Sequence, residues 1–365
     1  MAIDGLQVSA YTAPTSSPEA DGTLAWNDTT IVVATVSAAG AVGMGYSYAD
    51  RATAALIDSL LRKVVLGRDA LQVQAAWSAM IHAIRNLGRP GICSMAIAAV
   101  DTALWDLKAR ILGVPLVALL GQVRDQVAVY GSGGFTSYTT AELQDQLRGW
   151  AAEGIQAVKM KVGSRRDADL SRVTAARAAI GGAVQLFVDA NGAYSRKQAL
   201  GLAGRFRDLD VTWFEEPVSS DDLEGLRLIR DRAPAGMEIA AGEYGYDSIY
   251  FRRMLAAGAV DVLQADATRC AGVTGFLQAD ALCQAFALPL SAHTAPTLHA
   301  HLCCAAQVAR HVEYFHDHVR IECMFFDGAL QARNGVLRPD LSRPGLGLEL
   351  KQPDVEKYRV YGNPA

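Results

Sequence analysis

Long apolar runs are missing from this chain of 365 residues, although 51% of the residues are hydrophobic. No run reaches the ~20 residues that a membrane-spanning helix needs, so we expect no membrane partner. The first residues, MAIDGLQVSAYTAP, lack the basic segment followed by an apolar stretch that is typical of a signal peptide. We therefore expect a cytoplasmic protein.

The sequence also lacks Cys-x-x-Cys pairs and an excess of basic over acidic residues. The six cysteines, at positions 93, 270, 283, 303, 304 and 323, show no Cys-x-x-Cys spacing, which argues against a cysteine metal site and fits reduced, buried thiols. The net charge is −4 and the pI is near 6.0, so we expect no nucleic-acid partner. No Gly-x-Ser-x-Gly elbow is present, which argues against a serine hydrolase.

Strands alternate with helices from residue 127 onward. Candidate strands occur at VAVYG (127–131), AVKMKV (157–162), VQLFVDA (184–190), VTWFEE (211–216), MEIAAGE (237–243), VDVLQAD (260–266), LPLSAH (288–293) and HVEYF (311–315). This alternation predicts a parallel sheet, and eight strands predict an α/β fold with a closed (β/α)7β-type TIM barrel that lacks a regular final helix. An open doubly wound sheet is the alternative, although GSGG after the first strand is not its Gly-x-Gly-x-x-Gly loop.

The first third of the chain has a different, α+β pattern. TIVVATVSA indicates a strand, residues 11–28 are rich in Thr, Ser and Pro and predict a mobile loop, and residues 94–113 predict a helix that ends at Gly113. We expect an N-terminal α+β capping domain over residues 1–125 and a barrel domain over residues 126–327. The C-terminal segment, residues 328–365, is expected to pack back on the capping domain.

Three acidic residues close three successive predicted strands. Asp189, Glu215 and Glu243 lie 26 and 28 residues apart, which is close to the ~30 residues of one strand plus one crossover helix. In a barrel the strand ends converge on the C-terminal rim, where catalytic residues collect. Three carboxylates at one point suit a hard divalent cation. Three unrelated strand-end acids are the alternative.

Lysine is scarce, with seven among 34 basic residues, yet two lysines share one predicted strand. Lys159 and Lys161 are two positions apart and therefore point to the same side, into the barrel. A structural salt-bridge network would explain the pair. The functional interpretation is that each ammonium, together with a nearby cation, lowers the pKa of the other lysine, which would make Lys161 a competent base.

Further polar residues follow the later strands. Asp266 and His293 end neighbouring predicted strands, where the carboxylate could hold the imidazole in one tautomer, and Glu313 lies 20 residues beyond His293. Asn191 lies two positions after Asp189 and could hold a substrate oxygen. Glu216 points away from Glu215 and is interpreted as a supporting residue rather than a metal ligand. His299 and His301 lie two positions apart in a helix-like stretch, so they cannot share a helix face and carry less weight. His316 and His318 are interpreted as solvent-facing.

Taken in order, these motifs resemble those of the enolase superfamily. Lys159-x-Lys161, Asp189-x-Asn191, Glu215-Glu216-Pro217, Gly242-Glu243, Asp266 and Ser291-x-His293 are most similar to the mandelate racemase subgroup. The similarity covers nearly the whole chain, including SMAIAAVDTALWDLKARILGVP near the N-terminus. Ala265 and Ala271 depart from the subgroup pattern, which often has Pro and Gly at these two positions.

The resemblance implies a role for each of these residues. Asp189, Glu215 and Glu243 would bind Mg²⁺, the implied cofactor, and Lys161 would be the base on one face of the substrate, with Lys159 neutralising the substrate carboxylate. His293 with Asp266 would serve the opposite face. Glu313 would hydrogen-bond the intermediate, and loops at about residues 15–28 and 45–52 would set specificity. Trp26, Tyr46 and Tyr48 are candidate substrate contacts, with packing at the domain interface as the alternative.

The implied chemistry is abstraction of the proton α to a carboxylate through an ene-diolate. The resemblance favours a Mg²⁺-dependent lyase that dehydrates an acid sugar to a 2-keto-3-deoxy product, with a racemase, epimerase or cycloisomerase as the alternative. A catalytically silent binding protein is a third possibility. The expected partner is a small carboxylate substrate, and we expect a homo-oligomer.

Overall fold

The computed structural model describes residues 1–362. A four-stranded antiparallel sheet of order β15-β1-β2-β3 forms the cap and comprises β1 (Gly5–Ala20), β2 (Ala25–Ala38), β3 (Ala41–Tyr48) and β15 (Arg359–Tyr361). The prediction of a mobile loop at residues 11–28 is wrong, because these residues form the end of a long β1–β2 hairpin. Residues 45–48 of the second predicted loop likewise belong to β3.

The hairpin persists through its Pro- and Ser-rich part because a bulge absorbs the irregular residues. Pro14 pairs with Asp28, the register then shifts, and pairing resumes from Glu19 to Trp26. Proline is tolerated where a bulge interrupts the ladder. The turn is closed by the side chain of Asp21, whose Oδ1 accepts hydrogen bonds from the backbone N–H groups of residues 23 and 24 at 2.6 and 2.7 Å.

Helices follow the cap sheet in the chain, and the longest of them packs against it. They are α1 (Arg51–Leu56), a π-helical turn (Ile57–Leu61), α2 (Arg62–Val65), α3 (Val73–Ala83), α4 (Ile92–Leu112) and α5 (Leu116–Leu120). The predicted helix α4 ends, as expected, at a left-handed Gly113. It lies so close to β3 that a Cβ atom on Gly45 would stand 2.2 Å from the carbonyl oxygen of Ala99. Glycine is therefore required at this contact.

Eight parallel strands form the second domain and close on themselves. They are β4 (Val127–Gly133), β5 (Ala157–Lys161), β6 (Gln185–Asp189), β7 (Val211–Glu215), β8 (Glu238–Ala241), β9 (Val262–Ala265), β10 (Leu290–Ala292) and β11 (Ala309–Phe315). Each strand pairs with the next, and β11 pairs with β4 through Glu313 and Tyr130. This closure confirms the predicted barrel and excludes the open sheet.

Seven helices connect the barrel strands, and an eighth follows β11. They are α6 (Thr140–Ala152), α7 (Arg166–Ile180), α8 (Arg196–Arg207), α9 (Leu223–Arg232), α10 (Ser248–Ala256), α11 (Gly272–Ala285), α12 (Pro296–Ala305) and α13 (His316–Phe325). Beneath the C-terminal rim the barrel interior is filled by a buried cluster: Tyr130, Ala157, Phe187, Trp213, Ala240 and Val262. The barrel is thus a packed core, as is usual for this fold, and the buried ring of His311 packs against Tyr130, Phe187 and Trp213 of this cluster.

The remaining elements are short. They are β12 (Phe326–Asp327), β13 (Val336–Leu337), β14 (Glu349–Leu350), α14 (Gln352–Val355) and a 3₁₀ turn (Glu356–Tyr358). β13 pairs with β4 of the barrel, whereas β15 pairs with β1 of the cap. We retain the domain boundaries at residues 125 and 327 as a proposal. Within residues 1–362 no helix is long and apolar enough to cross a membrane.

The cap is fastened to the barrel through α13. The Thr29 hydroxyl donates to Asp317 at 2.5 Å, and the Tyr46 hydroxyl donates to Glu322 at 2.7 Å. The ring of His318 stacks on Tyr48 with centroids 3.4 Å apart. His318 is buried, so its predicted solvent-facing position is wrong. The error arose because the helix after β11 lies under the cap rather than on the outer surface.

Replacing Ala271 by glycine should stabilise the protein. Ala271 begins α11 with φ at +64°, a left-handed conformation that costs an L-residue roughly 1–2 kcal/mol. Glycine regains part of that energy but loses backbone entropy on folding, so we expect a gain of about 0.5–1 kcal/mol in the free energy of unfolding. Urea denaturation measures the change. The matched control is Ala281→Gly on the exposed face of the same helix, which should instead destabilise by about 1 kcal/mol.

Candidate active site

Three buried carboxylates meet at the C-terminal rim of the barrel. Asp189 ends β6, Glu215 ends β7, and Glu243 follows β8 after one glycine. One oxygen of each lies within 4.8 Å of the others. Gly242 makes the approach of Glu243 possible, because its φ is +137° and a Cβ atom there would stand 2.1 Å from the carbonyl oxygen of Gln264.

The donor set fits a divalent cation. The Oε2 atom of Glu243 is buried and accepts no well-aligned hydrogen bond from the described residues, although the Nε2 atom of His293 lies 3.2 Å away. The Oε1 atom of Glu216 is also buried and has no hydrogen-bond partner among these residues. An unsatisfied buried carboxylate oxygen is costly unless a cation or water supplies the missing partner. A group of three buried carboxylates with such an oxygen can hold a hard metal ion.

Lys159 and Lys161 both enter the site from β5, as the two-residue spacing predicts. The Nζ atom of Lys159 lies 2.5 Å from Glu215, 2.8 Å from Glu313 and 3.4 Å from Asp189. The Nζ atom of Lys161 lies 2.5 Å from Asp189. The two ammonium groups therefore bridge the carboxylates of the site. Of the two lysines, only Lys161 keeps some exposure to solvent, at 5%.

The protein's own charges raise the pKa values of both lysines, and the expected lowering, which depends on a nearby cation, stays a prediction. Burial is the largest single effect and lowers the pKa of Lys161, but Asp189, Glu243 and Glu215 together outweigh it, and the net pKa lies above its ordinary value. Burial also lowers the pKa of Lys159, and Glu215 and Glu313 outweigh it. The second ammonium lowers the pKa of Lys161, as expected, but the carboxylates around the amine outweigh it. A divalent cation bound to the same carboxylates would lower the pKa values of both lysines.

His293 and Asp266 form the expected pair. Asp266 follows β9 and His293 follows β10, and the Nδ1 atom of His293 lies 2.8 Å from an oxygen of Asp266. The opposite ring nitrogen, Nε2, lies 3.2 Å from Glu243. Burial lowers the pKa of His293, but Glu243, Glu313 and Asp266 together raise it to about 10. The ring is thus held as an imidazolium with its Nε2–H facing the carboxylate group.

Glu313 joins the two sides of the site. Its Oε1 accepts a hydrogen bond from Ser132 at 2.6 Å and contacts Lys159, while its Oε2 accepts one from the backbone N–H of Thr294 at 3.1 Å. Burial raises the pKa of Glu313, but Lys159 and His293 outweigh it and lower the pKa to about 2. Glu313 is therefore an anion that orients both flanking cations.

Asn191 and Glu216 lie at strand ends with strained backbones. Asn191 has φ of +44° and Glu216 of +37°. The Oδ1 atom of Asn191 accepts from the Lys161 ammonium at 3.1 Å, so this side chain orients the lysine. Glu216 is buried, and its pKa is raised by burial and by Glu243. Such outliers persist where the surrounding structure fixes them, often at functional sites.

Comparison with known proteins agrees with this geometry. The family model described as "Enolase C-terminal domain-like" matches residues 142–355, which is more than half of the chain. The model of the "Mandelate racemase / muconate lactonizing enzyme, N-terminal domain" matches residues 9–121. This chain belongs to the mandelate racemase/muconate lactonizing enzyme family. The predicted membership of the enolase superfamily is thereby confirmed.

Relatives within the mandelate racemase/muconate lactonizing enzyme family span two chemistries. The 3,6-anhydro-alpha-L-galactonate cycloisomerase of Streptomyces coelicolor is 34% identical over 322 residues, covering 85% of this chain and 86% of the relative. The L-talarate/galactarate dehydratase of Salmonella typhimurium is 30% identical over 364 residues, covering 96% and 89%.

Solved structures of the family superpose closely on this chain. A mandelate racemase/muconate lactonizing enzyme-like protein from Rubrobacter xylanophilus has a TM-score of 0.97 and 53% identity, covering 99% of this chain and 100% of its own. The Salmonella dehydratase, crystallised with Mg and L-lyxarohydroxamate, has a TM-score of 0.90 and 27% identity, covering 100% and 95%.

Two of the three candidate substrate contacts in the cap, Trp26 and Tyr46, have different surroundings. Tyr46 is completely buried with its hydroxyl bound to Glu322, so the structure favours the packing alternative for it. Trp26 lies at the hairpin end, where its ring packs edge-on against Phe135 at 5.7 Å. Its Nε1–H donates to Glu19 at 2.9 Å. Trp26 therefore stays a proposed contact.

Three residues of the site were missed by sequence reasoning. Trp213 donates from Nε1 to Glu215 at 2.9 Å, and its position two residues before Glu215 on β7 was a usable signal. Arg269 lies 3.2 Å from Glu243 and 3.6 Å from Asp266, but it sits on an irregular turn with no periodicity. Glu19 was hidden in the segment interpreted as a loop.

Proposed function

We propose that this chain is a Mg²⁺-dependent enzyme that abstracts the proton α to a carboxylate, and that its reaction is dehydration of an acid sugar. One observation carries the proposal. Lys161 contacts Asp189 on one side of the carboxylate group, and His293 contacts Glu243 on the other side, so two proton-transfer groups flank one candidate metal site. Their strands, β5 and β10, are three steps apart around the ring of eight strands, separated by β4 and β11.

Asp189, Glu215 and Glu243 would hold Mg²⁺, which when bound supplies positive charge for the substrate carboxylate and for the negative charge that develops on it. Lys161 in its neutral form removes the α-proton from one face. Lys159 stays charged and stabilises the carboxylate. Removing a proton from an anion is difficult mainly because negative charge builds up on the ene-diolate. Positioned cations offset that charge.

Dehydration then needs a proton at the leaving hydroxyl. The bond between C3 and its hydroxyl breaks as the ene-diolate collapses, and the imidazolium of His293 gives the proton that turns hydroxide into water. The enol that remains takes up a proton at C3 and becomes a 2-keto-3-deoxy acid. Asp266 holds His293 in position, and Glu313 hydrogen-bonds the intermediate.

Isomerisation is the second candidate, because the cycloisomerase of Streptomyces coelicolor is 34% identical to this chain. Lys161 and His293 on opposite faces would also serve a racemase or epimerase, in which the proton returns to C2. Dehydration and isomerisation share the ene-diolate intermediate and differ only in how that intermediate reacts.

A screen of acid sugars with Mg²⁺ present tests the proposal. Keto-acid release from at least one acid supports dehydration. Exchange of the α-proton for deuterium in D₂O without keto acid supports epimerisation or cycloisomerisation instead. If no acid gives either signal, the proposed function is wrong.

Cytoplasmic location and homo-oligomeric assembly belong to this proposal. The charge of −4 supports a small-molecule substrate rather than a nucleic acid.

A further inference from the structure

The Glu19 carboxyl is an unusual group near the end of the cap hairpin. Its side chain is completely buried, although Ser16 and Pro18 beside it are exposed. Its Oε2 accepts the Trp26 indole N–H at 2.9 Å, while its Oε1 has no hydrogen-bond partner among the described residues. A buried, half-satisfied carboxyl is costly, so it calls for a ligand.

The hairpin end is fixed on the barrel rim directly beside the carboxylate group. The backbone N–H of Thr136 donates to the carbonyl of Ala20 at 2.8 Å. A Cβ atom on Gly22 would stand 2.7 Å from the carbonyl oxygen of Val162 and 2.4 Å from that of Ala190. These two residues directly follow Lys161 and Asp189. Glu19 is therefore held over the sector of the rim that carries the base.

The charges around Glu19 are already balanced without a ligand. Two cations act on its carboxyl, Arg320 and Lys161. Arg320 is paired with Asp317 at 2.5 Å and donates to the carbonyl of Pro14 at 2.8 Å, and Lys161 is paired with Asp189. Burial and the charge of Asp317 raise the pKa of Glu19 to about 8, which leaves it a neutral acid with both a donor and an acceptor.

We propose that Glu19 hydrogen-bonds a distal hydroxyl of the substrate, and that the site prefers polyhydroxy monocarboxylates to dicarboxylates of the same configuration. This inference rests on the proposed function. A hydroxyl can both accept from and donate to the free Glu19 oxygen without adding charge. A second carboxylate would bring a negative charge beside Glu19 and Asp317, where both cations are committed, and burying an unpaired charge is strongly unfavourable.

Matched substrate pairs test the preference. The pairs D-gluconate with D-glucarate, and D-galactonate with galactarate, differ only in the oxidation state of C6. With Mg²⁺ present we expect kcat/KM of the wild type to be at least tenfold higher for the monoacid of a productive pair. Glu19→Ala should lower kcat/KM for that monoacid about tenfold, mainly through KM, because a hydrogen bond to a buried group is lost. Glu19→Gln should lose less, since an amide also donates and accepts.

Glu224→Gln is the control, because this glutamate is 92% exposed on α9 and should change neither kinetic constant. The inference is overturned if the wild type turns over the diacids equally well or better, or if Glu19→Ala affects both acids alike.

Calorimetric titration of each acid into the Mg²⁺-loaded enzyme separates this inference from the proposed reaction. If no acid is turned over, the dehydration proposal fails, and tighter binding of the monoacid still supports the role of Glu19. Equal binding, tighter binding of the diacid, or no binding of either acid overturns it.

Discussion

Replacing His293 by asparagine should stop keto-acid release while α-proton exchange continues. Hydroxide is a poor leaving group, and a positioned acid typically contributes 10²–10⁴-fold to its departure, so we expect dehydration to fall by about that factor. Asn191 cannot supply the proton, because an amide is not an acid near neutral pH and its Oδ1 already accepts from Lys161. Lys161 would still remove the α-proton. Keto-acid assays and NMR in D₂O measure the two steps separately.

The matched control is His82→Asn, since His82 is exposed on α3 in the cap and should leave both steps unchanged. Keto-acid release at the wild-type rate from the His293 variant would show that another group protonates the leaving hydroxyl.

Replacing Glu243 by glutamine should weaken Mg²⁺ binding by at least about 100-fold, because a metal ligand loses its charge. Mutating a residue that only supports a ligand already lowers metal affinity about 10–100-fold. Glu243 is the ligand to choose, since its Oε2 accepts no well-aligned hydrogen bond from the described residues, whereas Asp189 and Glu215 are each bound by a lysine ammonium at 2.5 Å. The wild type should gain about 2.7 kcal/mol in the free energy of unfolding when Mg²⁺ is present at 100 times its Kd. The variant should gain much less at the same concentration. Calorimetric titration and thermal unfolding with and without Mg²⁺ measure both effects.

Glu238→Gln is the control, because Glu238 lies at the opposite end of the same strand, β8, in a partly exposed pair with Arg310. Surface pairs of this kind contribute little, so Mg²⁺ affinity should not change. Equal Mg²⁺ affinities of the wild type and the Glu243 variant would rule out the carboxylate group as the metal site.

The barrel and the candidate metal ligands were predictable because each depends on a short local rule. A buried strand followed by an acid, repeated every 26–28 residues, brings Asp189 and Glu215 to one rim whatever the helices between them contain. The positions of Lys159 and Lys161 follow from alternation along a single strand. In the same way Asp266 and His293 follow from adjacent strand ends, and they meet at 2.8 Å.

Features that depend on contacts distant in sequence were not predictable. The hairpin end at residues 19–26 is ordered by the barrel loop around Thr136, which is more than 100 residues away. His318 is buried because α13 lies under the cap and stacks on Tyr48. The pKa values of Lys159 and Lys161 depend on the full set of carboxylates around each amine, and sequence spacing shows only part of that set.

The central claim is that Lys161 and His293 serve opposite faces of the same α-carbon. It is tested most directly by deuterium incorporation at C2, followed by NMR in D₂O with Mg²⁺, for the two C2 epimers of a productive acid sugar. We predict that Lys161→Ala abolishes exchange from one epimer and that His293→Asn abolishes exchange from the other, while the wild type exchanges both. Full exchange of both epimers by both variants would contradict the account, because neither side chain could then be the base.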